Sequence, residues 1–170
     1  MIILHQTFDP LFIDYCTYFN GNKDYFECHE VLEELWKDIA ARDKEHVLVG
    51  FIQVATSLYH WRRGNVRGAE KSLASAIELL RQHLDCAYFD VVDANDLLAN
   101  CEAALSSIRA GNGYESFELV FVDEAFRKLV AERISLLPAV DPHFVMHKHT
   151  LRDRSDVILE RAASLAARRL

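Results

Sequence analysis

The sequence predicts an all-α protein, a compact antiparallel bundle of several helices around a buried central helix at about residues 47–63. Three observations carry this. Residues 47–61, Val-Leu-Val-Gly-Phe-Ile-Gln-Val-Ala-Thr-Ser-Leu-Tyr-His-Trp, put apolar side chains on every side when wound at 3.6 residues per turn, the pattern of a helix enclosed by others. The segments around it carry one-sided apolar stripes at helical spacing, several of them headed by a capping residue. Short Gly/Asn breaks fall at 20–22, 64–65 and 111–113, and the short Gly64-Asn65 junction should join antiparallel neighbours.

Taken in order, residues 1–8 show no period and are expected to form an extended arm. Asp9-Pro10 is a cap followed by a first-turn proline, and Phe12, Tyr15, Cys16 and Phe19 recur at helical spacing, giving a helix over 10–19 that Asn20-Gly21-Asn22 ends. Asp24 and Glu27 resemble a capping box before a helix over 25–39. On it Phe26, His29, Leu32, Glu33 and Trp36 share one face, while Glu30, Glu34, Lys37 and Asp38 point to water. The polar turn 41–44 precedes the central helix, which stops at Gly64. Asn65 caps the next helix, with Ala69, Leu73, Ala76, Ile77, Leu80 and Leu84 as its stripe, and small Gly68 and Ala69 should let it approach its neighbour closely. Asp93 opens a helix that Gly111-Asn112-Gly113 terminates. Residues 117–122 fit either a short strand or a helix start, and 123–137 read as helix up to Pro138. The segment 138–149, with two prolines and three histidines, reads as a linker, and Thr150 with Asp153 begins a last helix ending in basic residues suited to a helix C-terminus.

At 170 residues the chain fits one domain able to bury its own core, with a helical core over 1–85 and further helices over 93–170. A formal net charge of -7 lacks the basic excess that nucleic-acid binding needs. The alternative nucleic-acid patch, Arg62, Arg63, Arg67 and Lys71, reads better as a solvated hairpin end. Cys16, Cys28, Cys86 and Cys101 form no CxxC pair and fall in helical patterns, so reduced thiols and a cytoplasmic protein are expected. No charged leader precedes a long apolar run, and the central stretch is shorter than the about 20 residues that span a bilayer. The partner and the oligomeric state, homo-oligomer included, stay open. No glycine-rich phosphate loop, no GxSxG elbow and no Cys-His pairing with a credible orienting group is present.

The polar residues of the two central segments are the candidates for chemistry. His29 and Glu33, spaced i, i+4, meet on one helix face. Gln53, Ser57 and His60 draw a polar line along a helix that should be buried. If the two helices pack antiparallel, these faces meet. Two imidazoles and a carboxylate, His29, His60 and Glu33, are a ligand set used by zinc or non-haem iron, with Glu33 as a candidate general base and Gln53 or Tyr59 placed to orient a substrate. Equally, His29-Glu33 can be a structural ion pair and Gln53 can satisfy a backbone group near Gly50, since an unpaired buried polar group costs about 1–3 kcal/mol. Trp36 and Trp61 read as packing residues. His143, His147 and His149 form a second, weaker cluster.

Phe19-Asn20, then Tyr25 to Trp36 with His29, Glu33 and Trp36, then Gly50-Phe51-Ile52-Gln53-Val54-Ala55, then Gly64-Asn65 with Gly68-Ala69, together resemble the prokaryotic family catalogued as domain of unknown function 309. Its signature is HxxxExxW, GxIQxA and a GNxxGA turn. The resemblance covers about the first 85 residues and implies a compact all-helical protein in which His29, Glu33, Trp36, Gly50, Gln53, Gly64 and Gly68 occupy signature positions. It implies no activity. Two functions are therefore expected as alternatives: a pocket of His29, Glu33, Trp36, Gln53, Tyr59 and His60 that takes a divalent metal or a small polar ligand for hydrolysis, or a non-enzymatic interaction module in which the cluster clamps two helices together.

Overall fold

The computed structural model describes residues 6–151. They fold into α1 (Pro10–Asn20), α2 (Tyr25–Ala40), α3 (Val47–Arg62), α4 (Val66–Arg81), α5 (Ala94–Arg109), α6 (Glu124–Ser135) and the short α7 (Pro142–Met146) and α8 (Lys148–Leu151). Helix α3 lies between α2 and α4, α1 packs on α2 and α6, and α5 on α4, so the all-α bundle around a central helix stands. The arm expected over 1–8 is described only from Gln6, where Gln6–Phe8 form a 3-10 turn. The helix expected beyond Thr150 lies outside the described residues after Leu151.

Local chemistry sets the helix ends. Asp9, Asp24, Asn65 and Asp93 each accept a backbone N–H of the first turn, and Asp123 and Asp141 do the same for α6 and α7, satisfying donors that a helix leaves open. Between α3 and α4, Gly64 takes φ +82° and the Asn65 N–H reaches back to the His60 carbonyl at 2.8 Å, the bond of a Schellman turn. Residues 117–122 form neither a helix nor a named strand. The Asn20 side-chain amide donates to the Leu119 carbonyl at 2.9 Å and accepts the Leu119 N–H at 2.8 Å, acting as a peptide partner would. A β-bridge between Val92 and Phe121 holds the other side.

The core is aromatic at its centre. Phe12, Tyr15, Phe19, Tyr25 and Phe51 are fully buried and meet edge to face or stacked, arrangements that suit ring quadrupoles. The Tyr15 hydroxyl donates to the Phe51 carbonyl at 2.6 Å. A Cβ on Gly50 would lie 2.9 Å from Leu80 Cδ2, so Gly50 is where α3 and α4 come close. The role expected of Gly68 is corrected: a Cβ there would lie 2.6 Å from Asn65 Nδ2, so its smallness makes room for the Asn65 cap rather than for a neighbouring helix. Leu84 falls beyond α4 and is exposed.

Three further expectations change. The buried face of α2 is Tyr25, Cys28, Leu32 and Leu35, so His29 and Glu33 sit at its edge, with side chains 33% and 30% exposed. Trp36 lies at the rim, donating its indole N–H to the Asp43 carbonyl at 2.9 Å. Helix α3 is not enclosed on all sides, because Val49, Gln53, Thr56, His60 and Arg63 form a half-buried stripe. The segment read as a linker contains α7 and α8, which fold back on α2 and α3. There Lys148 pairs with Asp24 at 2.8 Å and Glu27 at 2.9 Å, both charges being largely shielded on the Asp24 side.

Candidate ligand cavity between two helices and the C-terminal segment

Where the half-buried stripe of α3 faces α2, a cavity of about 200 Å³ opens, lined by Tyr25, Phe26, His29, Thr56, Tyr59, His60, Arg63 and His149. It is smaller than the about 300–1,000 Å³ of ordinary ligand pockets. Its walls are mainly rings: Phe26 and Tyr59 lie 5.7 Å apart, and the Arg63 guanidinium sits 5.1 Å over the Tyr59 ring. Helix α8 closes one side. The Tyr59 hydroxyl lies 2.6 Å from His149 Nδ1 and accepts the His149 N–H at 3.0 Å. His29, His60 and His149 thus arrive from three separate segments.

The hydrogen bonds of His60 fix its chemistry. Asn65 Oδ1 accepts the Gly68 N–H at 3.1 Å, which leaves the donating amide nitrogen Nδ2 facing His60 Nδ1 at 3.2 Å. An amide NH₂ only donates, so Nδ1 accepts and the ring proton sits on Nε2. Burial, then the charge of Arg63, then His29, hold the imidazole below its ordinary pKa, in its neutral form. A metal ion at Nε2 would need the other tautomer, with an Nδ1–H aimed at another donor. The expectation of His60 as a metal ligand therefore meets a physical obstacle.

The other predicted residues assemble only in part. His29 Nε2 lies 3.1 Å from Glu33, and Nδ1 lies 3.2 Å from Glu30. Glu33 is also paired with Lys37 at 2.8 Å. His29, Glu30 and Glu33 bring three donor atoms within 4.8 Å of one another, but the carboxylates flank opposite nitrogens of the ring, so one ion could take only one of these edges. Gln53 joins neither group: its Oε1 is buried without a hydrogen-bond partner, where a backbone group had been expected to satisfy it. Ser57 bonds to its own helix at Val54. The His143 and His147 rings lie 4.8 Å apart and tilted by 51°, and His149 belongs to the cavity instead. Arg62 is drawn inward over Tyr25 and Tyr114 and donates to the Lys23 carbonyl at 2.8 Å. Arg62 and Arg63 therefore do not join Arg67 and Lys71 in a solvated basic face.

Sequence reasoning missed Glu30, Arg63, Asn65 and His149. Adjacent helix positions such as His29 and Glu30 ordinarily diverge, so nothing in the spacing announced that pair. The Asn65-Gly68 cap was legible, and only its neighbour His60, five residues back, was not.

No described helix is long and apolar enough to cross a membrane. A family model described as "Domain of unknown function (DUF309)" matches residues 12–72, a span that includes every cavity residue except His149. Over 167 residues the chain is 35% identical to the uncharacterized protein YpuF of Bacillus subtilis (strain 168), covering 93% of this chain and 95% of YpuF. No solved structure matches.

Proposed function

Because the chain belongs to the domain of unknown function 309 family, whose description supplies no chemistry, we propose its function from the cavity itself: it is a helical binding protein for a small polar molecule, acting in the cytoplasm. One observation carries this. Three histidines from α2, α3 and α8, with Tyr59 and Arg63, converge on a single partly enclosed cavity, where a packing solution would place Leu or Ala. Clefts between helices with few convergent polar groups are ordinary binding sites. The reading contains no hydrolysis: Glu33, proposed from sequence as a general base, is engaged by His29 and Lys37 and does not line the cavity.

A second reading rests on one edge of this cluster, His29 Nε2 with Glu33. Here a divalent cation replaces Lys37 on the outer edge of α2, beside an acidic hollow that also includes Glu27 and Glu34. Both readings predict stabilisation by ligand, and thermal melting against a panel of small acids, amines, neutral amides, zinc and manganese separates them. At one hundred times Kd a ligand of the native state adds about 2.7 kcal/mol, or roughly 5–10 °C for a chain of this size. Stabilisation by an organic molecule that is lost in Tyr59→Ala and kept in Glu33→Ala supports the cavity. Stabilisation by metal alone, lost in Glu33→Ala, transfers the function to α2. A panel without any effect overturns both.

A further inference from the structure

The chemistry of the cavity's free groups narrows the ligand. Its lining contains no Asp or Glu. His29 directs both ring nitrogens to carboxylates outside it. The Tyr25 hydroxyl is engaged by Tyr114 at 2.6 Å, the Tyr59 hydroxyl by His149, and the Thr56 hydroxyl donates to the Ile52 carbonyl at 2.9 Å. Besides His149, whose Nδ1 faces the Tyr59 hydroxyl, two polar groups remain. Arg63 Nε is buried without a hydrogen-bond partner, and His60 keeps its proton on Nε2 because Asn65 occupies Nδ1. Both are donors, and one carries a positive charge. A buried donor without an acceptor asks for one, and charge-assisted bonds are the strong ones.

Resting on the cavity reading above, we infer that the ligand is a small carboxylate with a flat apolar body, and that Asn65 is the specificity-determining residue that makes His60 a donor to it. The carboxylate oxygens meet Arg63 and His60, and the body lies against the adjoining rings of Phe26 and Tyr59. The small volume excludes a larger acid. Residues Gly64-Asn65-x-x-Gly68 thereby gain a role beyond turning the chain: Gly68 leaves room for the Asn65 side chain, the Gly68 N–H orients its amide, and the amide sets the tautomer of His60.

The test uses the full chain, labelled with ¹⁵N, with benzoate, its neutral analogue benzamide and inorganic phosphate as probes. Two-bond ¹H–¹⁵N spectra read the tautomer, and calorimetry reads binding. The expected result is an Nε2–H tautomer at His60, binding of benzoate, and at least roughly tenfold weaker binding of benzamide, the loss of one charge-assisted contact. Asn65→Asp keeps an oxygen for the Gly68 N–H but presents a second acceptor to Nδ1. It should move the proton to Nδ1 and weaken benzoate by roughly tenfold or more. Asn65→Ser, which also caps helices, removes the lock without adding charge and should weaken benzoate to a smaller extent. An Nδ1–H tautomer in the unaltered protein overturns the assignment of Asn65. Benzamide binding as well as benzoate, or phosphate binding more tightly, overturns the carboxylate while leaving a ligand cavity in place. No stabilisation by any organic member of the wider panel overturns the cavity reading itself.

Discussion

Gly50→Ala puts the packing of α3 on α4, which aims the ligand stripe at α2, to a quantitative test. On an open helix this substitution stabilises by about 1 kcal/mol, since Gly is the poorer helix former. Here the new methyl would stand 2.9 Å from Leu80 Cδ2 and 3.1 Å from Leu80 Cγ. Leu80 is fully buried, so it has little room to retreat, and overpacking of a close-packed core costs about 1–3 kcal/mol. With Leu80 held this tightly the crowding outweighs the propensity gain, and a net loss of up to about 2 kcal/mol follows, or up to roughly 8 °C in Tm. The sign depends on Leu80. In a Leu80→Ala background, itself destabilised by about 2–5 kcal/mol, the clash is gone and Gly50→Ala should become stabilising by up to about 1 kcal/mol. Urea unfolding of the four proteins, with equal slopes as the check on two-state behaviour, measures the coupling. A neutral or stabilising Gly50→Ala in the unaltered protein, with no change of sign on removing Leu80, refutes the argument that this glycine seats the two helices.

Three further outcomes follow from individual contacts. Gly64→Ala has no neighbour within 4 Å but must hold φ +82°, so it should cost about 1–2 kcal/mol from backbone conformation alone; Gly64→Asn, tolerant of that region, should cost less, and equal losses in urea would deny it. Lys148→Met removes the cation from Asp24, whose side chain is 6% exposed, and should cost about 1–3 kcal/mol while speeding amide exchange over 142–151; unchanged exchange there would show that the ion pair does not hold this segment down. The pKa of His60 is lowered from its ordinary 6.5, chiefly by burial and then by Arg63 and His29, and that of His46 is lowered by burial. A lowered value means that the folded chain takes up fewer protons than the unfolded one as pH falls below 6.5. The stabilising contribution is thus complete above 6.5 and is lost as pH falls from there through the folded values. Between about pH 7.5 and about pH 5.5, His60→Gln should lose less urea resistance than the unaltered protein, and equal losses would contradict the neutral, bonded state of His60.

Much of the fold was legible because local rules and tertiary packing agree. Asp9, Asp24, Asn65 and Asp93 cap the helices whose starts they mark, and the apolar content of 47–61 identifies the helix that packs between α2 and α4. The sequence was least informative where a side chain replaces backbone pairing. Periodicity has no means of telling that Asn20 pairs with Leu119 across the fold, and so residues 117–122 stayed ambiguous. Proline and histidine content made 138–149 look like a connector, yet two short turns dock there through Lys148 and His149, contacts between distant positions. At the site, helical spacing brought His29 and Glu33 together correctly, but the phase of α2 was read about one residue off. Tyr25, Cys28 and Leu35, not Phe26 and Trp36, complete the buried face around Leu32, and this turns His29 from a core position to the wall of a cavity. The expected meeting with Gln53 fails for the same reason.

The central claim is that a small molecule binds among Tyr59, His60, Arg63 and His149. Amide chemical-shift mapping with benzoate on the full chain tests it most directly. The account predicts perturbations concentrated at residues 25–29, 56–65 and around His149, with α5 and α6 unmoved. Perturbations gathered instead along Glu30, Glu33 and Lys37, or scattered over the surface without saturating, would contradict it.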